Sequence, residues 1–193
     1  WIEYIFLNSF SSIISVTLSA KLLIIVIATI ILLYIYSSTL KKLPLFGNVT
    51  IALLTGLAFV YGGFTSGNPV AAIVPAVFAF LINLIREIVK DIQDIEGDTK
   101  AGVITFPIKF GFKKSKILIL IITVSLILYT LYPFITELYK IEYFIVVMVF
   151  VNPVLILSLK FLFDSKKENN LTVVSNMLKL NMVLGLIAIY LGK

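Results

Sequence analysis

The residues best suited to chemistry lie between Asn83 and Asp98, in the run NLIREIVKDIQDIEGD. Glu87, Asp91, Asp94 and Asp98 follow one another at spacings of four, three and four. A continuous helix would set all four on one stripe, with Asn83 a turn earlier and Ile85, Ile88, Ile92 and Ile95 on the opposite side. Carboxylates at the carboxyl end of a helix face the negative pole of its dipole and repel one another, at about 0.3–1 kcal/mol per charge. Such a cluster calls for a compensating cation. Oxygen-only donor sets suit hard divalent ions, and Mg2+ typically takes one or two carboxylates while keeping waters and phosphate oxygens. At a bilayer edge, Mg2+ held this way would receive the diphosphate of a lipid whose tail lies in the membrane, and Lys90 and Lys100 would help retain the anion. The plain alternative is a solvated acidic helix end balanced by neighbouring lysines. Against it stand the single-face spacing, the unfavourable dipole and the extension of the stripe into apolar sequence through Glu87 and Asn83.

The elements that must position this stripe are membrane spans. Of the 193 residues, 60% are hydrophobic and 13% charged, with a mean hydropathy of +1.10, beyond the range of soluble domains. At about 20 apolar residues per crossing, seven stretches qualify: 2–19, 21–36, 49–64, 69–89, 117–135, 143–163 and 171–191. The net charge of +6 is not a nucleic-acid surface, because the basic residues are distributed by loop. If the chain ends after 36, 89 and 163 face the cytoplasm, that side holds Lys41, Lys42, Arg86, Lys90, Lys100, Lys109, Lys113, Lys114, Lys116, Lys160, Lys166 and Lys167, twelve of the sixteen. The positive-inside rule then turns the acidic stripe toward the cytoplasm. With neither Cys nor His present, disulfides, thiolate or imidazole metal sites and a His general base are excluded.

Along the chain, Lys21 leaves room for only a very short turn, so the first two spans form a hairpin. Pro44 with Gly47 is expected to break the chain before the third span, with Asn48 as its N-cap. Gly56, Gly62 and Gly63 read as close-packing positions, and Pro75 as a kink in the fourth span. The polar stretch 90–116 is too long for a passive connector. Gly97 and Gly102 end or interrupt its helix, and ITFPIKFG at 104–111 suits the membrane surface. Asn152 and Pro153, then Lys179 and Asn181, are polar or kinking residues at membrane depth, with Lys179 a candidate for an anionic ligand or an interhelical partner. Membrane-depth polar residues also fit an ion-coupled transporter, which would need a pseudo-repeat or broken helices near the midplane.

Three segments resemble one family. DIQDIEGDTKAG at 91–102 resembles the second aspartate-rich motif of the UbiA superfamily of intramembrane prenyltransferases; YSSTLKKLPLFGN at 36–48 is similar to the family's segment before a span, and ITFPIKFG to the stretch after the motif. The resemblance implies an all-α polytopic bundle around a central cavity. It also implies that Asp91, Asp94 and Asp98 bind Mg2+ and diphosphate as the catalytic carboxylates, with Lys41, Lys42 and Asn48 near the same pocket. REIVKDIQDIEGD is most similar to the family's archaeal lipid-forming branch, which implies transfer of a geranylgeranyl group from its diphosphate to geranylgeranylglyceryl phosphate. Plant-type branches carry similar EGD motifs and offer an aromatic or quinone-type acceptor as the alternative. The family has nine spans and an NDxxDxxxD motif after the second, and this sequence contains no such motif. Residues 1–193 are therefore expected to correspond to the third through ninth spans of a single transmembrane prenyltransferase domain, amino-terminally incomplete and inactive by itself.

Overall fold

The computed structural model describes residues 2–164 and 168–193. Trp1, Lys166 and Lys167 lie outside the described residues. The described chain is helical throughout: α1 (Ile2–Leu18), α2 (Ala20–Ser38), α3 (Phe46–Thr65), α4 (Ile73–Gln93), α5 (Ile95–Lys100), α6 (Phe106–Phe110), α7 (Phe112–Ile135), α8 (Ile141–Val146), α9 (Asn152–Phe163) and α10 (Glu168–Leu191). Short 3-10 turns at Leu40–Lys42 and Val70–Ala72 precede α3 and α4, and a π-helical turn, Val147–Val151, joins α8 to α9.

Among the described residues, six helices are long and apolar enough to cross a membrane: Ala20–Ser38, Phe46–Thr65, Val70–Gln93, Phe112–Ile135, Ile141–Phe163 and Asn170–Leu191. The seventh expected span is α1, whose 17 residues fall short of that length. Large apolar side chains cover the outside, among them Tyr190, Ile135 and Val70 at 79, 73 and 68% exposure. Such a belt is costly in water and neutral in lipid. This is an integral membrane protein.

Helix α4 is the axis of the bundle, packed against α3, α7 and α10. Its Ile82, Ile85, Ile88 and Val89 have at most 1% exposure. Burial of this kind is worth about 1.5–3 kcal/mol per large side chain where the alternative is water; in lipid it is close contact that holds the helices together. Gly56 supplies one such contact, since a Cβ there would stand 3.0 Å from the Ala76 carbonyl of α4. Gly63 is equally close to the turn at Pro69, but Gly62 has no atom near enough to pack against and is exposed, so only two of the three glycines are packing positions. Pro75 does not kink α4, because it falls in the first helical turn, where no backbone N–H partner is lost. The π turn does disturb the sixth span. Pro153 enters α9 directly after it, and the Val151 carbonyl accepts from Asn181 Nδ2 of α10 at 2.9 Å.

The hairpin between α1 and α2 turns at Ser19, which caps α2 by accepting from the Lys21 amide at 3.1 Å. The break before α3 spans Thr39–Leu45, not Gly47. Leu45, with φ 70°, caps α3, and Asn48 lies inside that helix; the N-cap reading of Asn48 fails because the helix starts two residues earlier. Gly47, now within α3, lets the 3-10 turn lie on it: a Cβ would be 3.2 Å from both the Leu40 carbonyl and the Lys41 Cα. The turn therefore carries Lys41 over the first turn of α3.

Candidate functional site at the end of α4

The acidic residues are not on one helix. α4 ends at Gln93, Asp94 takes the non-helical angles φ −107° and ψ 21°, and α5 restarts at Ile95 with Asp98 inside it. The Asp98 amide still donates to the Asp94 carbonyl at 2.8 Å, so the register is nearly kept while the axis is interrupted. Gly97 lies within α5 and is not its end; Gly102, at φ 69°, follows the Ala101 cap in the left-handed region that favours glycine.

Two connected spaces open at this point. A small chamber of about 60 Å³ is lined by Tyr36, Lys41, Leu43, Gly47, Asn48, Ile51, Glu87, Asp91 and Thr105. An open cleft of about 610 Å³ shares Tyr36, Lys41, Glu87, Asp91 and Thr105 with it and adds Lys90, Gln93, Asp94, Asp98 and Val103. The central contact is between helices: Asn48 Nδ2 of α3 donates to Asp91 Oδ2 of α4 at 2.9 Å. Asn48 is 8% exposed and fixes the Asp91 carboxylate by one oxygen. Glu87 is occupied differently, by Arg86 Nη1 at 3.0 Å and Lys90 Nζ at 3.4 Å.

Asp94 folds its carboxylate back over α5. A Cβ on Gly97 would run into Asp94 Oδ1, so only glycine leaves that carboxylate where it is. Gly97→Ala is expected to turn Asp94 away from the cleft, weakening divalent-cation binding about tenfold with little loss of melting temperature, because the displaced group is the free end of an exposed side chain. Titration calorimetry with Mg2+ and thermal unfolding of the same sample check both halves.

Asp98 has its carboxyl raised above the ordinary range, first by burial and next by Asp94, with Lys90 opposing. A group whose folded pKa is raised contributes stability when protonated, and that contribution is lost as pH rises through the carboxylate range. Cation binding has the opposite sign, because the ion must displace this proton. Mg2+ affinity is therefore expected to fall on acidification from neutral pH, and Asp98→Asn to flatten the dependence, as read by titrations across a pH series.

Among the described residues, no three Asp, Glu, His or Cys groups converge as a ready-made metal cage. The donor set fits a hard ion of the kind that takes one or two carboxylates and completes its shell with water and phosphate oxygen. Asp91, with one oxygen uncommitted to Asn48, and Asp94 and Asp98 on the same cleft are the residues that would hold it.

A sequence profile of the UbiA prenyltransferase family matches residues 1–183. The chain belongs to the UbiA prenyltransferase family. Curated relatives named digeranylgeranylglyceryl phosphate synthase include one from Methanosphaera stadtmanae, 31% identical over 88% of this chain and 62% of its own length, and one from Methanobrevibacter smithii, 38% identical over 87% and 60%. The chain thus spans about 60% of the length of these relatives. A solved digeranylgeranylglyceryl phosphate synthase superposes with a TM-score of 0.86 at 31% identity, over 97% of this chain and 66% of that one. A UbiA homolog from Archaeoglobus fulgidus bound to Cd2+ superposes at 0.71 with 20% identity, over 98% and 72%, which speaks for the fold.

Within this UbiA-family bundle, Asp91, Asp94, Asp98, Glu87, Lys41, Asn48 and Lys90 come together, as the sequence suggests. Others expected to join them do not. Asn83 Nδ2 is spent on the Ala79 carbonyl of its own helix at 3.0 Å, and neither Lys42 nor Lys100 lines the chamber or the cleft. Both lysines are exposed. Lys179 is also exposed and meets Asn176 of its own helix at 3.4 Å, with no partner on another helix among the described residues. Lys116 is more than a topology anchor: it is buried, with Nζ 4.3 Å from the Phe112 ring centre and 3.5 Å from the Phe163 carbonyl. Tyr36 and Thr105 line both spaces without having been singled out. Tyr36 had a signal in its place at the membrane edge before the Lys pair, whereas Thr105 stands alone in an apolar run.

Proposed function

We propose that this chain carries a diphosphate-binding face of an intramembrane prenyltransferase, which transfers a geranylgeranyl group from its diphosphate to geranylgeranylglyceryl phosphate. The observation that carries the reading is the Asn48–Asp91 bridge. A carboxylate fixed by one oxygen, at the end of a span and beside a cleft with three further carboxylates and two lysines, suits an ion-bound diphosphate better than a passive helix end. The names of the relatives that share this fold support the donor and acceptor. The distribution of lysines supports a cytoplasmic site.

In this reading Asp91, Asp94 and Asp98 hold Mg2+. When bound, the ion supplies neutralisation of the charge that collects on a departing diphosphate. Lys41 and Lys90 flank the cleft and hold the diphosphate oxygens by charge, while the Arg86 and Lys90 contacts keep Glu87 from adding a free negative charge. The prenyl tail lies among the apolar spans. The allylic C–O bond breaks with its electron pair going to the diphosphate, the acceptor hydroxyl oxygen bonds to the allylic carbon, and the hydroxyl proton passes late to a carboxylate or phosphate oxygen. These 193 residues offer no His as base, and in this reading the developing carbocation makes the hydroxyl acidic enough for late transfer.

Product analysis of the full-length enzyme tests the acceptor. Geranylgeranyl diphosphate is offered with geranylgeranylglyceryl phosphate and, separately, with homogentisate or another aromatic acid. The expected product is the ether lipid alone. A prenylated aromatic would move the chain to the other branch, and substrate flux into liposomes without any prenyl transfer would replace the enzyme with a carrier.

A further inference from the structure

Thr105 stands at the amino end of α6, where a Thr ordinarily turns its oxygen onto a backbone N–H of the first helical turn. Here it makes no such bond, and Pro107, two residues on, has no N–H to give. The residue is 8% exposed, and its hydroxyl oxygen is shielded from solvent with no hydrogen-bond partner among the described residues. A buried hydroxyl without a partner costs the fold stability. Its neighbours Val103, Ile104 and Phe106 are apolar, so Val would serve the packing at least as well.

Thr105 is nevertheless one of the residues shared by the small chamber and the open cleft. Lys41, Lys90 and Tyr36 also have hydrogens to offer an anion there, while the remaining polar groups have little left. Asn48 donates to Asp91, Glu87 is held by Arg86 and Lys90, and both carboxylates are acceptors only. A chamber of about 60 Å³ has room for a water or one phosphoryl oxygen. The Thr105 hydroxyl is a donor with no partner among the described residues.

We propose that Thr105 is a substrate-positioning residue whose hydroxyl donates to a phosphoryl oxygen of the bound diphosphate where the chamber meets the cleft. This rests on the diphosphate reading above. A donor kept dry and unspent is preorganised, so its bond to a charged oxygen is gained without first giving up another partner.

The test uses Thr105→Val, which keeps the shape and removes the hydroxyl, and Thr105→Ser, which restores it, in the full-length protein beside Asp91→Ala. Calorimetric titrations are run with Mg2+ alone and with inorganic diphosphate in the presence of Mg2+. Thr105→Val is expected to weaken diphosphate binding by about tenfold or more, to leave affinity for Mg2+ alone unchanged, and to melt no lower than wild type. Thr105→Ser is expected to stay within about twofold of wild type, as the retained donor requires. In turnover, Thr105→Val raises KM for geranylgeranyl diphosphate more than it lowers kcat. If Thr105→Val binds diphosphate as wild type does while Asp91→Ala abolishes binding, the Thr105 assignment falls and the diphosphate site stands. Unchanged binding in both variants removes the site itself. A parallel loss of affinity for Mg2+ alone in Thr105→Val would put the hydroxyl on the ion and also overturn the assignment.

Discussion

Asp91→Asn in the full-length enzyme is expected to lower turnover by about a hundredfold or more, the cost of removing one group that stabilises charge at the reacting centre. The substitution keeps the size of the side chain and its bond to Asn48, since an amide oxygen still accepts from Nδ2. What it removes is the negative charge on the uncommitted oxygen. Asn48→Ala should cost less, about tenfold, because it loosens the carboxylate without neutralising it. The two effects should not add: with Asp91 already neutral, loss of Asn48 has little left to misplace. Steady-state kinetics at limiting and saturating Mg2+ check this. Full turnover of Asp91→Asn at limiting Mg2+ would remove Asp91 from the site.

The largest structural effect is expected at Gly185. This residue of α10 faces α4, and a Cβ built on it would collide with the Phe78 ring. Phe78 is 7% exposed and belongs to the core around α4, so the ring has little room to withdraw. Gly185→Val should therefore push α10 off the axial helix and destabilise the bundle by about 1–3 kcal/mol or more, read as a clear drop in melting temperature in detergent. Gly185→Ala should fall between, and Phe78→Leu in the same chain should restore part of the loss, a coupling expected only of residues in contact. A wild-type melting temperature for Gly185→Val would mean that α4 and α10 are not held at this point.

Much of the fold was legible because membrane spans are written in composition: 60% hydrophobic residues leave few alternatives to a helical bundle. The acidic cluster was legible for a related reason, since a spacing of four, three and four keeps residues near one another even when the helix axis breaks at Asp94. Periodicity could not show the break, because the Asp98 amide keeps its bond to the Asp94 carbonyl across it. Nor could it assign Asn48. Immediately before the expected span, an Asn reads as a cap; its partner, 43 residues away on another helix, carries no local signature. Lys179 failed in the opposite direction. An ionisable residue at membrane depth is expected to face a cavity, but neighbouring Asn176 gives this one a local partner on the outside of α10.

The interrupted sixth span has a mechanical consequence. In hydrocarbon a buried side-chain amide cannot turn to water, and Asn181 Nδ2 of α10 finds its acceptor in the Val151 carbonyl at the π turn. The bond keys α9 to α10 as a pin in a slot. Sliding one helix by a single turn, about 5.4 Å, would pull the pin and strand the Asn181 amide. The two helices are thereby coupled into one stiff plate, and any deformation of the bundle must be taken up at its borders and not along its seam.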